Sequence, residues 1–277
     1  MSNFRLLLFL TLQLFAVQAN AQRFRNGVTE LGLMGGISNY FGDIAPEIVW
    51  GESHPAFGLL YKYHHSRYFS SRYQFSYASI SGKDKYFNGQ AFRNIQFNSN
   101  IYEMGYFMEF NFKPFGINAN QHEETGTTYV FSGVNLFMFE PTVTLPKGDE
   151  LSLRDLGTEG QVINGKRTYS LIQPALSLGL GYKFNIRRKT VIGLEIGFRK
   201  TFTDYLDDTK NDYADYATIV AKQGSGTAEY AHPETLSGAK PIRAGVNRGD
   251  ANFKDWYFIA GITICFRNVI GDPCARL

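Results

Sequence analysis

The amino-acid sequence predicts an all-β fold, an eight-stranded antiparallel up-and-down transmembrane β-barrel with a filled lumen. Apolar and polar residues alternate repeatedly over about nine to eleven residues, the length of a tilted membrane strand. After residue 21 the sequence has no apolar run long enough to form a transmembrane helix. Eight alternating segments occur, and single-chain bacterial barrels have an even number of strands.

The first element is a predicted signal peptide over residues 1–21. Arg5 precedes a largely apolar run from Leu6 to Val17, and Ala19-Asn20-Ala21 has the small residues of a cleavage site. The apolar run is too short to span a bilayer comfortably, and a buried N-terminal helix is the less favoured alternative. The sequence therefore predicts an exported chain whose mature part, 22–277, is an outer-membrane β-barrel domain.

Three segments alternate most clearly, each with one apolar face and one face that mixes glycine with polar or charged residues. They cover residues 102–112, 192–199 and 255–266. Five further segments fit the pattern less sharply, namely 29–41, 55–65, 71–80, 128–140 and 169–186. Segment 128–140 is apolar on both faces, so its sequence does not indicate which face points inward.

The connections also follow the pattern of a bacterial barrel, in which short turns lie in the periplasm and long loops lie outside. The connections near Ser66 and at 187–189 are tight, and 114–127 is of moderate length. Those at 42–54, 82–97, 141–167 and 203–251 are mostly longer. We therefore expect long outer loops at 141–167 and 203–251, and a periplasmic tail over 267–277.

The polar faces predict a charged and filled lumen. An eight-stranded barrel is just wide enough for side chains to fill it, and buried charges are tolerable when they form paired networks. Four carboxylates and four cations are predicted to point inward: Glu30, Glu103, Glu109, Glu195, Lys62, Arg72, Lys183 and Arg199. This balance favours a plugged lumen over an aqueous pore, with the charges in a structural role.

Composition excludes several other classes of protein. The net charge of +3 gives no electrostatic footprint for nucleic acid, so no nucleic-acid partner is expected. Two cysteines cannot form a disulfide framework or a four-cysteine zinc site. Cys265 is predicted to face the lumen near the periplasmic rim, and Cys274 lies in the tail. Two pairings are open, one between these cysteines and one with another protein.

Candidate catalytic residues are few. His64, His65 and Ser66 resemble the His and Ser of lipid-modifying barrel esterases, which need nucleophile and base within hydrogen-bond reach. Consecutive histidines on a strand point to opposite faces, and interfacial polar residues at a strand end account for all three. The sequence therefore predicts no catalytic residue, no bound cofactor and no enzymatic activity.

The loop 203–251 begins with an acidic cluster: Asp204, Asp207, Asp208, Asp212 and Asp215. Carboxylate oxygens can bind calcium, but the cluster lacks the spacing of a calcium-binding loop. We expect a hydrated or backbone-capping stretch, with no metal site. The later part, which contains Gly224-Ser225-Gly226, has the composition of a flexible segment.

Four stretches resemble a known family. They are ELGLMGGISNYFGDI at 30–44, RNIQFNSNIYEMGYFMEFNF at 93–112, TEGQ at 158–161 and EIGFRKTFTDYLDDTKNDY at 195–213. They resemble PorG-like outer-membrane β-barrel proteins of the type IX secretion system in Bacteroidota. The resemblance implies a non-enzymatic barrel in outer-membrane lipid, associated with a periplasmic ring of a PorK-like lipoprotein and a PorN-like protein. The alternative is a surface-binding or structural barrel of the small OmpA/OmpX type, acting through its long extracellular loops.

Overall fold

The computed structural model describes residues 28–115, 126–145, 150–163, 165, 168–187, 189–250 and 254–269. The predicted signal peptide lies outside these residues. Nine strands are present: β1 (Val28–Phe41), β2 (His54–His64), β3 (Phe69–Lys83), β4 (Gln96–Asn111), β5 (Gly126–Thr144), β6 (Glu150–Ser152), β7 (Ile172–Arg187), β8 (Thr190–Thr201) and β9 (Trp256–Val269).

Eight of these strands form a closed antiparallel barrel, as the sequence predicts. Each strand pairs with the next along the chain, β6 excepted, and the last strand pairs with the first. At this closing seam Leu33 of β1 lies opposite Ile264 of β9, and on its other side opposite Leu59 of β2. Because the barrel is closed, its sheet has no edge strand with unpaired backbone groups. A sheet surrounded by lipid requires such closure.

The barrel is apolar outside and polar inside. Because side chains alternate along each strand, Leu31 and Leu33 point outward and are 66% and 58% exposed, whereas Glu30 is buried. The same apolar outer face continues around the wall on strands β2 to β5 and β7 to β9, formed by residues such as Phe57, Tyr73, Met104, Leu136, Leu178, Leu194 and Ile264. An exposed apolar band of this extent matches a hydrocarbon environment rather than water.

We call the end of the barrel that carries the long loops the outer end and the opposite end the periplasmic end, as the connections predict. Several strands run further at the outer end than the sequence pattern indicates. β3 continues to Lys83, β4 begins at Gln96, and β5 reaches Thr144, where it pairs with the short strand β6. In β4 and β5 burial still alternates in these extensions, but the outward side chains are polar, as at Asn100 and Glu140, so no apolar face marks the strand in the sequence. At the other end β9 continues to Val269, so the tail begins after that residue and not at 267.

The described part of the long loop, residues 203–250, is folded, which corrects the expectation that its later part is flexible. With its neighbours it contributes the helices α1 (Leu153–Leu156), α2 (Tyr216–Gln223) and α3 (Ser225–Ala231) to the outer cap. Ile219, Ala228 and Ala231 pack into a buried apolar cluster. Gly224 joins α2 to α3 with φ of 92°, a backbone conformation that glycine adopts without strain.

Short 3₁₀ turns at Trp50–Glu52, Asp84–Tyr86, Ala91–Arg93 and Pro233–Ser237 complete the cap. Among the described helices, none combines the length and the hydropathy that crossing a membrane requires.

Candidate functional site

All eight charged residues predicted to point inward are buried in the lumen. At the centre of the periplasmic half, Glu109 forms ion pairs with Lys62 at 2.9 Å, Lys183 at 2.9 Å and Arg72 at 3.2 Å. Arg72 also donates to Glu195 at 2.7 Å. Three cations therefore share two carboxylates, and all five side chains are buried. Pairing of this kind is what makes buried charge tolerable.

Aromatic side chains fill the space around these charges. The guanidinium carbon of Arg72 lies 4.6 Å from the centre of the Phe107 ring and 4.4 Å from that of Phe131. The Tyr129 hydroxyl donates to Glu195 at 2.6 Å. The sequence did not orient β5, and the structure shows that Tyr129 and Phe131 point inward. The sequence contains only an indirect signal for this orientation. The neighbouring strands carry inward glycines, which leave room for large rings, and Gly179 lies against the Phe131 ring.

A second charged layer lies nearer the outer end. Arg199 donates to both oxygens of Glu103 at 3.2 Å and 3.3 Å, and the Tyr257 hydroxyl donates to Glu103 at 2.6 Å. Above it, Phe137 and Phe139 belong to the main buried apolar cluster. Charged layers and aromatic rings together fill the lumen, as the sequence predicts.

A segment following β4 closes the periplasmic mouth. Phe115 is buried against Val191 and Cys265, and its backbone N–H donates to the carbonyl of Arg67 at 3.0 Å. The guanidinium of Arg267 lies 5.2 Å from the Phe115 ring centre. Phe115 therefore reaches from the turn after β2 to the wall formed by β8 and β9.

Arg267 is a lumen residue that the sequence assigned to the tail. Its Nε donates to Glu30 at 2.8 Å, and Glu30 also lies 3.0 Å from Nε2 of His64. Cys265 faces the lumen near this rim, as predicted, and forms no disulfide within the described residues. Cys274 lies outside the described residues.

The structure does not bring His64, His65 and Ser66 together. His64 points into the lumen with Nδ1 2.8 Å from the Ser70 hydroxyl, whereas His65 contacts the Ser71 hydroxyl at 2.6 Å. Ser66 accepts from the backbone N–H of Phe69 at 3.0 Å and so caps the turn.

Ser70 is thus a partner of His64 that sequence reasoning missed, since only strand pairing places it there. The pair has the distance of a nucleophile and its base. Ser70 is 0% exposed and His64 3%, so an external substrate does not reach them. Hydrogen bonds within the packed lumen account for this arrangement.

Asp204, Asp207 and Asp208 are buried in the cap, which corrects the expectation of a hydrated stretch. The Tyr40 hydroxyl lies 2.6 Å from Asp207 Oδ2 and 3.0 Å from Asp255 Oδ1. A hydroxyl has one proton to donate, so two carboxylates can both bond it only if one of them is protonated. Burial and the neighbouring carboxylates hold the pKa values of Asp207 and Asp255 well above their usual range.

The backbone-capping role expected for this stretch holds for Asp215, which accepts from the N–H of Thr218 at 2.9 Å and begins α2. Asp212 is exposed and forms a β-bridge with Asn247. Within the described residues, no three Asp, Glu, His or Cys side chains come together in a way that holds a metal ion.

Two of the stretches that carry the family resemblance pack against each other in the cap. Glu159 accepts from the backbone N–H groups of Lys210 at 2.7 Å and Asn211 at 2.8 Å. Asp208 accepts from the hydroxyls of Thr158 and Tyr169, the latter at 2.8 Å. Burial raises the pKa of Asp208 to about 6. The segments 158–161 and 195–213 therefore form one buried polar network.

Arg248 joins this network and lines a cleft. Its Nη1 donates to the Thr158 hydroxyl at 2.8 Å and to the Asp208 carbonyl at 2.9 Å. The cleft has a volume of about 230 Å³ and is lined mainly by apolar residues, including Ile95, Val143, Leu153, Tyr230 and Leu236.

A family described as a domain of unknown function, DUF6089, matches residues 4–225. The chain belongs to the DUF6089 family. The matched range contains β1 to β8, whereas β9, which closes the barrel, lies beyond it. No curated protein matches the sequence.

Among solved structures, this DUF6089 member is similar to Ail, the attachment invasion locus protein of Yersinia pestis, in complex with the heparin analogue sucrose octasulfate. The identity is 12% and the TM-score 0.40, over 87% of this chain and 99% of that chain. OprG of Pseudomonas aeruginosa gives 10% identity and a TM-score of 0.39, over 90% and 98%. Neisserial surface protein A gives 7% and 0.35, over 86% and 96%.

Proposed function

We propose that the protein is a non-enzymatic outer-membrane barrel that anchors or positions the type IX secretion machinery by contacting its periplasmic ring. The observation that carries this proposal is the filled lumen, in which Glu109, Lys62, Lys183 and Arg72 form one buried cluster. A barrel filled by paired charges and aromatic rings offers no path for a solute. Its activity therefore lies on its end surfaces.

The resemblance to PorG-like proteins selects the periplasmic end. The long stretch 195–213 carries most of that resemblance. Its contact with the stretch 158–161 lies in the outer cap, so it supports the family resemblance and is not itself the contact surface. The apolar outer wall and the predicted signal peptide support an outer-membrane location. The partners proposed on this basis are a PorK-like lipoprotein and a PorN-like ring protein.

Two measurements test this proposal. Affinity purification of the tagged protein from its own outer membranes should recover both ring proteins in quantitative mass spectrometry. Recovery of neither would refute the anchoring role. In planar bilayers the refolded protein should give no stable open channels, and stable ion conduction would refute the filled-lumen argument.

The folded outer cap favours a second function, binding at the cell surface. Its helices enclose a buried apolar cluster, and the 230 Å³ cleft opens beside α3. Replacing residues 214–246 by a short glycine-serine linker should then abolish surface binding and leave secretion intact. Surface binding that survives this replacement would refute the second function.

A further inference from the structure

Three tyrosines lie side by side on the lipid-facing wall. Tyr61 of β2 is opposite Tyr73 of β3, and Tyr73 is opposite Tyr106 of β4. The ring centres of Tyr61 and Tyr73 are 6.5 Å apart, and those of Tyr73 and Tyr106 are 5.1 Å apart. All three side chains point outward and are exposed. We call these three residues the tyrosine row.

The tyrosine row lies near the middle of the apolar band. Along β3, Tyr73 is four residues from Phe69 at the periplasmic end and four residues from Tyr77. Aromatic residues at such positions form the girdles of the two membrane interfaces. Four residues of a strand tilted by about 40° cover about 10 Å of depth. This distance exceeds the reach of a tyrosine side chain, so the Tyr73 hydroxyl stays in the hydrocarbon and does not snorkel to an interface.

Two hydroxyls of the tyrosine row, those of Tyr61 and Tyr73, have no hydrogen-bond partner among the residues that the structure describes. The Tyr106 hydroxyl lies 3.0 Å from the Ser71 hydroxyl. Lipid tails offer neither a donor nor an acceptor, and an unsatisfied polar group in hydrocarbon is costly. The row therefore calls for a polar partner that lipid does not supply.

The opposite side of the wall is aliphatic. β8 lies four strands from β3 in either direction around the barrel. Leu194 is four residues from the start of β8, as Tyr73 is from the start of β3, and both are 51% exposed. The strands beside β8 carry Leu178, Leu180, Ile262 and Ile264, all exposed. Lipid tails satisfy such a surface completely, so the tyrosine row distinguishes one side of the barrel.

The surroundings of the tyrosine row resemble a protein contact. Phe75 and Met104 face each other two residues further along β3 and β4, and both are exposed. Tyrosine, phenylalanine and methionine are the side chains enriched at the centres of protein interfaces. Methionine also adapts its shape to a facing surface. The composition of this side therefore favours a protein neighbour over lipid.

We propose that the tyrosine row is the contact between two copies of this chain in the outer membrane. Two copies inserted in the same orientation are related by a two-fold axis along the membrane normal, so the same patch faces itself at the same depth. A phenol hydroxyl both donates and accepts, so each row supplies the hydrogen-bond partners that the other lacks. A second copy therefore brings a polar group to the depth at which the first needs one.

The first test is photo-crosslinking of the full-length protein in its own outer membrane. The photoreactive residue p-benzoylphenylalanine replaces Tyr73 in one protein and Leu194 in the control, two positions of equal exposure on opposite sides of the wall. Crosslinked products are separated by gel electrophoresis and identified by mass spectrometry, and heat-dependent gel mobility checks that each barrel is folded. We expect a dimer of the chain from position 73 and at most a trace from position 194.

The second test removes hydroxyls and keeps the rings. Tyr61→Phe combined with Tyr73→Phe should raise the dimer dissociation constant at least about fivefold, because hydrogen bonds between the copies are lost. The measurement is resonance energy transfer between copies labelled at Cys274, in lipid vesicles at increasing dilution with lipid. Tyr182→Phe, at an exposed tyrosine of β7, is the matched control and should leave the constant unchanged.

Equal dimer formation from positions 73 and 194, or none from either, would overturn the proposal, since contact would then be random or absent. Crosslinking of position 73 to a different protein, without a dimer, would overturn it in favour of that protein. An unchanged dissociation constant for the double variant would also overturn it, because the hydroxyls select the second copy. Capture of the periplasmic ring proteins is measured separately, so none of these outcomes decides the anchoring role.

Discussion

Replacing Glu109 by glutamine should strongly destabilise the barrel. Glu109 is fully buried and lies within 3.2 Å of Lys62, Arg72 and Lys183. These three cations and the two carboxylates Glu109 and Glu195 sum to a charge of +1, so Glu109→Gln raises the cluster to +2. Removing one partner of a buried ion pair costs about 3–5 kcal/mol, because the other charge stays buried without compensation.

The assay is denaturant unfolding of the refolded protein in lipid vesicles, followed by tryptophan fluorescence. The second variant, Glu109→Gln with Lys183→Met, returns the cluster charge to +1 and should regain a large part of the lost stability. Glu140→Gln, at an exposed position of β5, serves as the control and should stay within about 0.5 kcal/mol of wild type. A loss below about 1 kcal/mol for Glu109→Gln would refute the argument that paired charges hold the lumen together.

Three further results are expected. Gly36→Ala should lower the free energy of unfolding by about 1–3 kcal/mol in the same assay, because the new Cβ would lie 2.1 Å from the Ala260 carbonyl oxygen. Gly35→Ala is the control and should leave stability unchanged, since its Cβ would have nothing within 4 Å. Equal effects of the two substitutions would contradict the geometry of the seam between β1 and β9. The folded pKa of Asp255 is raised above its unfolded value, so its contribution to stability is greatest at low pH and is lost as pH rises from about 4 through the folded pKa. Limited proteolysis of the cap should therefore be faster at pH 9 than at pH 5, less steeply so in Asp255→Asn, and the reverse trend would refute the shared proton. In a Cys274→Ser variant, mass spectrometry should find Cys265 modified by maleimide only after denaturation, since its side chain is buried; labelling of the folded protein would place it outside the packed lumen.

Strand segments and inward charges were predictable because they depend on local alternation. Glu103, Glu195 and Arg199 each lie in a segment whose opposite face is apolar, so the pattern alone oriented them. The pattern failed at the closing seam, where the neighbour of a residue comes from the other end of the chain. Arg267 was assigned to the tail because the apolar face ends at Phe266, yet it is buried against Glu30 of the first strand.

The amino-acid sequence by itself determined the eight-stranded barrel, its apolar wall and the identity of most lumen charges. A period of two residues is a property of the strand and needs no knowledge of distant neighbours. Only the tertiary structure decided which charges pair, since Arg72 and Glu195 are 123 residues apart in the chain. It also decided that the long loop folds over the outer end, where Asp208, in a stretch that the sequence predicts to be hydrated or backbone-capping, is buried against Thr158 and Tyr169. Such contacts depend on how closure of the barrel brings its loops together.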